Sequence, residues 1–213
     1  MTSSTLDTVT AAVERVMTLA PVIPVLVIDD IEHALPIAEG LVAGGLPALE
    51  VTLRTPWAMD AIKVMRQVPG AVVGAGTVLT PEDLERSLDA GAEFIVSPGL
   101  TPKLAEAAVR ANAAFLPGTA NAGDIMLALE FGFTRLKFFP AVASGGTPAL
   151  KAISGPFGQV KFCPTGGITQ ATAAEWLALD PVLCVGGSWM IPKGKPDAKA
   201  IEELARAAAS LRR

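Results

Sequence analysis

The sequence is poor in the residues that bind metals or form disulfides. It contains one histidine, His33, in the first helix predicted between strands, and two cysteines, Cys163 and Cys184. No group of histidine, cysteine and carboxylate residues has metal-ligand spacing, so we expect no bound metal. The apolar runs around both cysteines predict buried thiols rather than a disulfide framework. The sequence has no serine–histidine pairing of the kind found in a hydrolase triad. It also has no G-x-G-x-x-G turn of the kind that binds a dinucleotide, so we expect no cofactor.

The chain also lacks an excess of positive charge and any long apolar segment. Its formal net charge is −4, which leaves no basic surface to hold a nucleic-acid backbone. The start of the chain has no basic n-region, and its most apolar early run, residues 21–28, is too short to span a bilayer. We therefore expect a soluble cytoplasmic protein that binds neither nucleic acid nor a membrane.

Apolar residues are abundant. The chain is 51% hydrophobic and only 18% charged, so it can bury a large core. Its 213 residues favour one domain or at most two. Frequent glycine and proline with few aromatics indicate short buried strands that alternate with helices and tight turns, which is typical of an α/β protein.

Eight short apolar runs, separated by helical patterns, predict eight strands. They are residues 22–28, 46–53, 71–78, 93–98, 114–119, 135–140, 160–168 and 182–189. Such units fill the chain without a break in composition, so we predict a single domain over residues 1–213, a (β/α)8 TIM barrel. An open doubly wound sheet is the alternative. Even spacing, and distinctive residues at the ends of several strands, favour the barrel.

Helix signals lie between and before these strands. Thr80-Pro81 and Thr101-Pro102 each place a capping hydroxyl before a proline that suits the first helical turn. An amphipathic pattern near residues 4–19 predicts an N-terminal helix that covers the bottom of the barrel. The apolar face of this helix consists of Leu6, Val9, Val13 and Val16.

The second predicted strand carries three polar side chains on one face. Alternation with a period of two groups Glu50, Thr52 and Arg54. The opposite face, which should meet the helices, consists of Leu49, Val51 and Leu53. The polar face would then point into the mouth of the barrel. A simple salt bridge at the strand end is the alternative interpretation.

The sixth predicted strand contains a lysine among aromatic residues. Alternation groups Lys137 with Phe139 and leaves Leu136 and Phe138 to pack against the helices. Burial disfavours the charged ammonium form of a lysine, and a neutral amine is a nucleophile toward carbonyl groups. A structural ion pair between Lys137 and Glu50 explains the same residues, and the two interpretations stay open.

Glycine pairs end the last two predicted strands. They occur in Thr165-Gly166-Gly167 and Gly186-Gly187-Ser188. Glycines allow the backbone to approach an anion, and the corresponding loops of barrels frequently bind phosphate, so we predict a phosphate site here. Thr77 and Pro98 lie at the ends of the third and fourth predicted strands, where turn formation alone could account for them.

Taken together, these segments resemble the 2-keto-3-deoxy-6-phosphogluconate (KDPG) aldolase family, also described as 4-hydroxy-2-oxoglutarate (KHG) aldolases. The resemblance covers essentially the whole chain. The matching motifs are LEVTLRT at 49–55, VGAGTVL at 73–79, SPG at 97–99, KFFP at 137–140, FCPTGGI at 162–168 and GGSW at 186–189.

The resemblance implies a role for each motif residue and an assembly. Lys137 would form a Schiff base with the keto carbon, and Glu50 would transfer protons. Arg54 and Thr77 would bind the pyruvate carboxylate. The residues implied for the phosphate are Gly166, Gly167 and Ser188, and those lining the pocket are Thr165, Pro98 and Phe139. Members of the family are typically homotrimers.

We therefore expect a class I aldolase, a carbon–carbon lyase of the Entner–Doudoroff pathway. It would cleave 2-dehydro-3-deoxy-6-phosphogluconate to pyruvate and glyceraldehyde 3-phosphate, and would also act on 4-hydroxy-2-oxoglutarate. One alternative is the galactonate-derived substrate, which differs at one hydroxyl. Others are a phosphate-binding isomerase or epimerase without an imine, and a non-catalytic protein in which Glu50 and Lys137 only form a buried ion pair.

Overall fold

The computed structural model, which describes residues 3–192 and 194–211, alternates short strands with helices. The strands are β1 (Val22–Leu26), β2 (Ala48–Thr52), β3 (Val72–Gly76), β4 (Phe94–Val96), β5 (Phe115–Leu116), β6 (Gly118–Thr119), β7 (Arg135–Phe138), β8 (Lys161–Pro164) and β9 (Val185–Gly187). The helices are α1 (Ser3–Thr18), α2 (Ala34–Ala43), α3 (Ala58–Met65), α4 (Pro81–Asp89), α5 (Pro102–Arg110), α6 (Ala122–Glu130), α7 (Gly146–Ser154), α8 (Ala173–Leu177) and α9 (Ala198–Ala209).

The predicted capping residues start their helices. The Thr80 side chain accepts a hydrogen bond from the Asp83 backbone, and Thr101 accepts one from Leu104. The placement of His33 was wrong, because it ends a short 3-10 turn, Ile31–His33, that precedes α2. The Asp30 side chain caps this turn by accepting a hydrogen bond from the Glu32 backbone N–H. Because this N-cap lies close to the end of β1, it favours a tight turn before α2 begins.

All strand pairs are parallel, and they form a curled sheet in two parts. One part has six strands in the order β5-β4-β3-β2-β1-β9, and the other has three in the order β6-β7-β8. The ladders therefore do not run as one uninterrupted ring of eight strands. Every strand points the same way, so the carboxyl ends of all nine segments lie at one end of the molecule.

The prediction of an unbroken fifth strand over residues 114–119 was wrong. Pro117 separates β5 from β6, because proline has no N–H to donate to the ladder. The Pro117 carbonyl still accepts a bond of 2.8 Å from the Lys137 backbone N–H. The interruption thus lies beside the strand that carries Lys137.

Alternation along the strands separates two apolar cores. Leu49 and Val51 of β2, with Leu136 and Phe138 of β7, face the large core that the helices cover, as the alternation predicts. A second core lies inside the curled sheet and consists of Val13, Val16, Met17, Ile23, Ala48, Phe94, Val96, Leu116, Cys163 and Cys184. Both cysteines are buried thiols, which confirms that prediction.

Helix α1 closes the amino-terminal end of the sheet's interior. Val13, Val16 and Met17 belong to the inner core, which confirms the predicted position of this helix. Leu6, predicted on the same face, lies outside the described side chains. Glu14 also accepts a hydrogen bond of 2.9 Å from the guanidinium of Arg135, the first residue of β7. The N-terminal helix is therefore attached directly to the strand of Lys137.

Within the described ranges, no helix has both the length and the apolar character needed to cross a membrane.

Candidate active site

A buried lysine and a buried carboxylate meet inside the curled sheet. Lys137 Nζ donates a hydrogen bond of 3.0 Å to Glu50 Oε1. The side chains of Lys137 and Glu50 are only 6% and 4% exposed. They come from β7 and β2, which belong to different parts of the sheet, so their contact spans the interior. Desolvating two charges costs free energy that only close pairing offsets, so this pair is maintained at an energetic cost.

An aromatic ring and one carboxylate oxygen complete the immediate surroundings of the pair. The ammonium of Lys137 lies 5.4 Å from the centre of the Phe139 ring, within the range of a cation–π contact. In the described part of the chain, Glu50 Oε2 accepts no hydrogen bond. One carboxylate oxygen therefore holds the lysine, while the other is available to a substrate proton.

The loop after β8 lies directly against Phe139. Gly166 and Gly167 have φ angles of +107° and +79°, a left-handed conformation that favours glycine. A Cβ on Gly166 would lie 3.4 Å from the Phe139 ring. The Thr165 backbone N–H donates to the Phe138 carbonyl at 2.9 Å. These contacts place the first predicted phosphate loop beside Lys137.

The glycines after β8 and in β9 occupy different surroundings. Thr165 pairs with Gly186 in a single parallel bridge. Gly186 is buried, and any side chain there would overlap Thr165 Oγ1. Gly187 is buried against Trp189, whereas Ser188 is exposed. Of these three residues, Ser188 is exposed to solvent, while Gly186 makes room for Thr165.

Three predicted residues lie at the ends of β2, β3 and β4. Arg54 is exposed, and among the described residues it forms no ion pair with Glu50, whose partner is Lys137. Thr77 follows β3 with a φ of +59°, an uncommon conformation for a β-branched residue that often marks a functional site. Pro98 is half-buried, and its carbonyl lies against Gly118, the register partner of Lys137.

The structure thus joins some of the predicted residues and not others. Glu50, Lys137, Phe139 and Gly166 form one chain of contacts, and Thr165 adjoins it through the backbone. In the ranges the structure covers, no hydrogen bond or ion pair joins Arg54, Thr77 or Ser188 to the Lys137–Glu50 pair. They share only the same end of the parallel sheet, which in barrels is the catalytic end.

Sequence reasoning did not single out Gly76. A Cβ at this position would lie 2.6 Å from Glu50 Cγ, closer than side chains approach in folded proteins. The available signal was the alternation along β3, because Gly74 and Gly76 occupy the same face of the strand.

A cavity of about 410 Å³ lies away from these residues. It is bordered by Lys151, Lys161 and Asp180, and Lys161 is the first residue of β8. Since it lies at the amino-terminal side of a strand and contains no member of the buried pair, we do not assign the reaction to it.

Sequence comparisons relate the chain to lyases. The family model for KDPG and KHG aldolases matches residues 13–204. The 2-dehydro-3-deoxy-phosphogluconate aldolase of Zymomonas mobilis is 59% identical over 201 residues, which cover 94% of this chain and 97% of the relative. The KHG/KDPG aldolase of Escherichia coli K12 is 52% identical over 180 residues, or 84% of each chain.

Solved structures give the same result. The crystal structure of the Z. mobilis ZM4 KDPG aldolase with 3-phosphoglycerate superposes with a TM-score of 0.95 at 58% identity, covering 96% of this chain and 98% of the other. A Legionella pneumophila KDPG aldolase, with pyruvate captured as a covalent carbinolamine, has a TM-score of 0.90 at 46% identity. That alignment covers 93% of this chain and 98% of the other.

Proposed function

Because the chain belongs to the KDPG and KHG aldolase family, a family of carbon–carbon lyases, we propose that it cleaves 2-dehydro-3-deoxy-6-phosphogluconate to pyruvate and glyceraldehyde 3-phosphate. The same chemistry on an unphosphorylated substrate gives activity on 4-hydroxy-2-oxoglutarate. The observation that carries the proposal is the buried contact of 3.0 Å between Lys137 Nζ and Glu50 Oε1.

The lysine supplies the electron sink. Glu50 accepts a proton from Lys137, and the neutral amine adds to the C2 carbonyl to give a carbinolamine. Glu50 returns its proton to the carbinolamine hydroxyl, which leaves as water and gives an iminium ion. As the C3–C4 bond breaks, its electron pair forms the C2=C3 bond of an enamine and the iminium π pair moves to nitrogen, while the C4 hydroxyl loses its proton and becomes the aldehyde.

The carboxylate moves the protons. Glu50 accepts the C4 hydroxyl proton during cleavage and returns a proton to C3 of the enamine. Water then adds to C2, which releases pyruvate and restores the Lys137 amine. Both roles require one carboxylate within reach of the nitrogen and of C3 and C4, and the geometry of the pair supports this.

We assign the remaining residues by their position around this pair. Arg54 and Thr77, at the ends of β2 and β3, bind the pyruvate carboxylate, and Phe139 and Pro98 border the C2–C4 segment. The phosphate end is held by residues in the loop after β8 and at the end of β9, namely Thr165, Gly166, Gly167, Gly186, Gly187 and Ser188. The left-handed backbone of Gly166 and Gly167 supports this assignment, because it turns N–H groups toward an anion.

A substitution at Ser188 tests the phosphate end. We expect Ser188→Ala to lower kcat/KM for the phosphorylated substrate by about 10- to 100-fold, the value of a hydrogen bond to a charged group. Its kcat/KM for 4-hydroxy-2-oxoglutarate should change by less than about twofold, because this substrate has no phosphate. Ser210→Ala, beyond the end of α9, is the matched control. Equal losses on both substrates would show that Ser188 does not contact the phosphate.

We further propose that the two parts of the sheet complete a closed (β/α)8 barrel over a single domain. The bridges Phe162–Val182 and Thr165–Gly186, which connect β8 to the segment of β9, support closure on one side. Only Pro117 separates the parts on the other side. The family resemblance supports a homotrimer, and exposed apolar side chains on loops, such as Trp57 and Leu79, are of the kind that subunit contacts cover.

Trapping of the imine tests the proposed function. The protein is incubated with pyruvate and borohydride, which reduces an imine to a stable amine, and the mass of each lysine peptide is measured. We expect a pyruvyl adduct on Lys137 and none on Lys161, the first residue of β8. An unmodified Lys137, together with no cleavage of the phosphorylated substrate, would contradict the mechanism and favour the isomerase.

A further inference from the structure

Glu50 occupies space that a side chain on the neighbouring strand would fill. Gly76 ends β3 and is the register partner of Thr52 in β2. A Cβ on Gly76 would lie 2.6 Å from Glu50 Cγ and 2.9 Å from Cδ, and would overlap Oε1, the atom that accepts the Lys137 hydrogen bond.

Gly76 is required for space and not for backbone conformation. Its φ lies outside the left-handed region, in contrast to Thr77 beside it. The backbone at Gly76 is also fixed, because its carbonyl accepts a hydrogen bond of 2.8 Å from the Leu53 N–H at the end of the parallel ladder with β2. If residue 76 were alanine, the backbone could not retreat, and the Glu50 side chain would have to move.

We propose that Gly76 is a positioning residue for the reaction: its missing side chain provides the space in which the Glu50 carboxylate reaches Lys137. The inference rests on the proposed function, in which Glu50 transfers protons to and from the lysine-bound substrate. Because the acid–base group must lie within hydrogen-bond distance of the atom it serves, a displaced carboxylate should slow proton transfer while Lys137 remains able to form an imine.

Gly74, on the same face of β3, distinguishes positioning from packing. A Cβ there would lie 2.5 Å from the Phe94 ring, which belongs to the inner apolar core. The nearest neighbour of a side chain at Gly74 would therefore be an apolar ring of the core. Gly76 differs because its neighbour is the carboxylate itself.

The first test compares Gly76→Ala with Gly158→Ala, a glycine in a loop where a new Cβ would meet no atom within 4 Å. Misplacement of a catalytic group by about 1 Å can cost about 100-fold. We expect Gly76→Ala to lower kcat for cleavage by about 10- to 100-fold, with KM changed less than about threefold. Exchange of the pyruvate methyl hydrogens with deuterium, followed by NMR, should slow by the same factor, and borohydride should still trap pyruvate on Lys137.

The second test places Gly76→Ala in a protein that also carries Glu50→Ala. We expect Gly76→Ala alone to lower the Tm by about 5 °C, as overpacking does. In the Glu50→Ala background the same substitution should not change the Tm, because the overlapping side chain is gone. If Gly76→Ala alone does not fold, the double variant should fold.

The outcomes separate this inference from the proposed function. A wild-type protein that neither cleaves the substrate nor exchanges pyruvate hydrogens would contradict the proposed function itself. An active wild type with Gly76→Ala at wild-type kcat and exchange rate would overturn only the role of Gly76. If Gly76→Ala lowers the Tm as much in the Glu50→Ala background as in the wild type, the role of Gly76 would also be overturned. The overlap would then not involve Glu50.

Discussion

Lys137→Met is expected to remove the borohydride-trapped pyruvate adduct and to lower kcat by about 10⁴-fold or more. Methionine has a similar length but no nucleophilic amine, so neither the imine nor the electron sink can form. Intact-mass analysis measures the adduct and a coupled pyruvate assay measures kcat. Lys161→Met, at the start of β8, is the matched control and should keep both. An adduct that persists in Lys137→Met would identify another lysine as the nucleophile.

The same substitution should destabilise the protein. Lys137→Met leaves the carboxylate of Glu50, which is 4% exposed, without its cation. Removing one partner of a buried ion pair costs about 3–5 kcal/mol of unfolding free energy, whereas replacing both by neutral groups is often nearly neutral. We therefore expect urea denaturation to show a large loss for Lys137→Met and recovery of most of it in Lys137→Met/Glu50→Gln. A double variant as unstable as the single one would show that burial of the charge is not the cause.

Glu50→Gln is expected to separate the two halves of the chemistry. The amide keeps the shape of the carboxylate but does not accept a proton, so kcat for cleavage should fall by about 10²- to 10⁴-fold. Pyruvate should still be trapped on Lys137 at the end of a long incubation, although more slowly. Full cleavage activity in Glu50→Gln would exclude Glu50 as the proton acceptor and leave the ion pair with a structural role.

Much of the architecture could be predicted because strands and helices leave local signals. Every strand lies inside a predicted run, and α1 begins and ends within one residue of the predicted N-terminal helix. Period-two alternation correctly assigned Leu136 and Phe138 to the helix-facing core. The break at Pro117 was missed because an apolar run with one proline still fits a strand. Continuity of hydrogen bonds around the sheet depends on partners distant in sequence, which no local pattern records.

The candidate site was predictable to a similar extent. Alternation placed Glu50 and Lys137 on inward faces, and their contact follows because inward side chains of opposite charge meet across a narrow interior. The exposure of Arg54 could not be predicted, because the strand ends two residues earlier and alternation no longer applies. Gly76 was not predicted because a residue without a side chain adds no signal to the alternation along a strand. Its role also depends on the rotamer that Glu50 adopts.

Helix α1 fills the amino-terminal end of the sheet's interior with Val13, Val16 and Met17. We therefore expect both fragments to leave at the other end, where the strands have their carboxyl ends. In the proposed reaction the pyruvate fragment stays bonded to Lys137 after the C3–C4 bond breaks, whereas the aldehyde has no bond to the protein. The aldehyde thus departs first and pyruvate second, and the reverse reaction must load pyruvate before the aldehyde arrives.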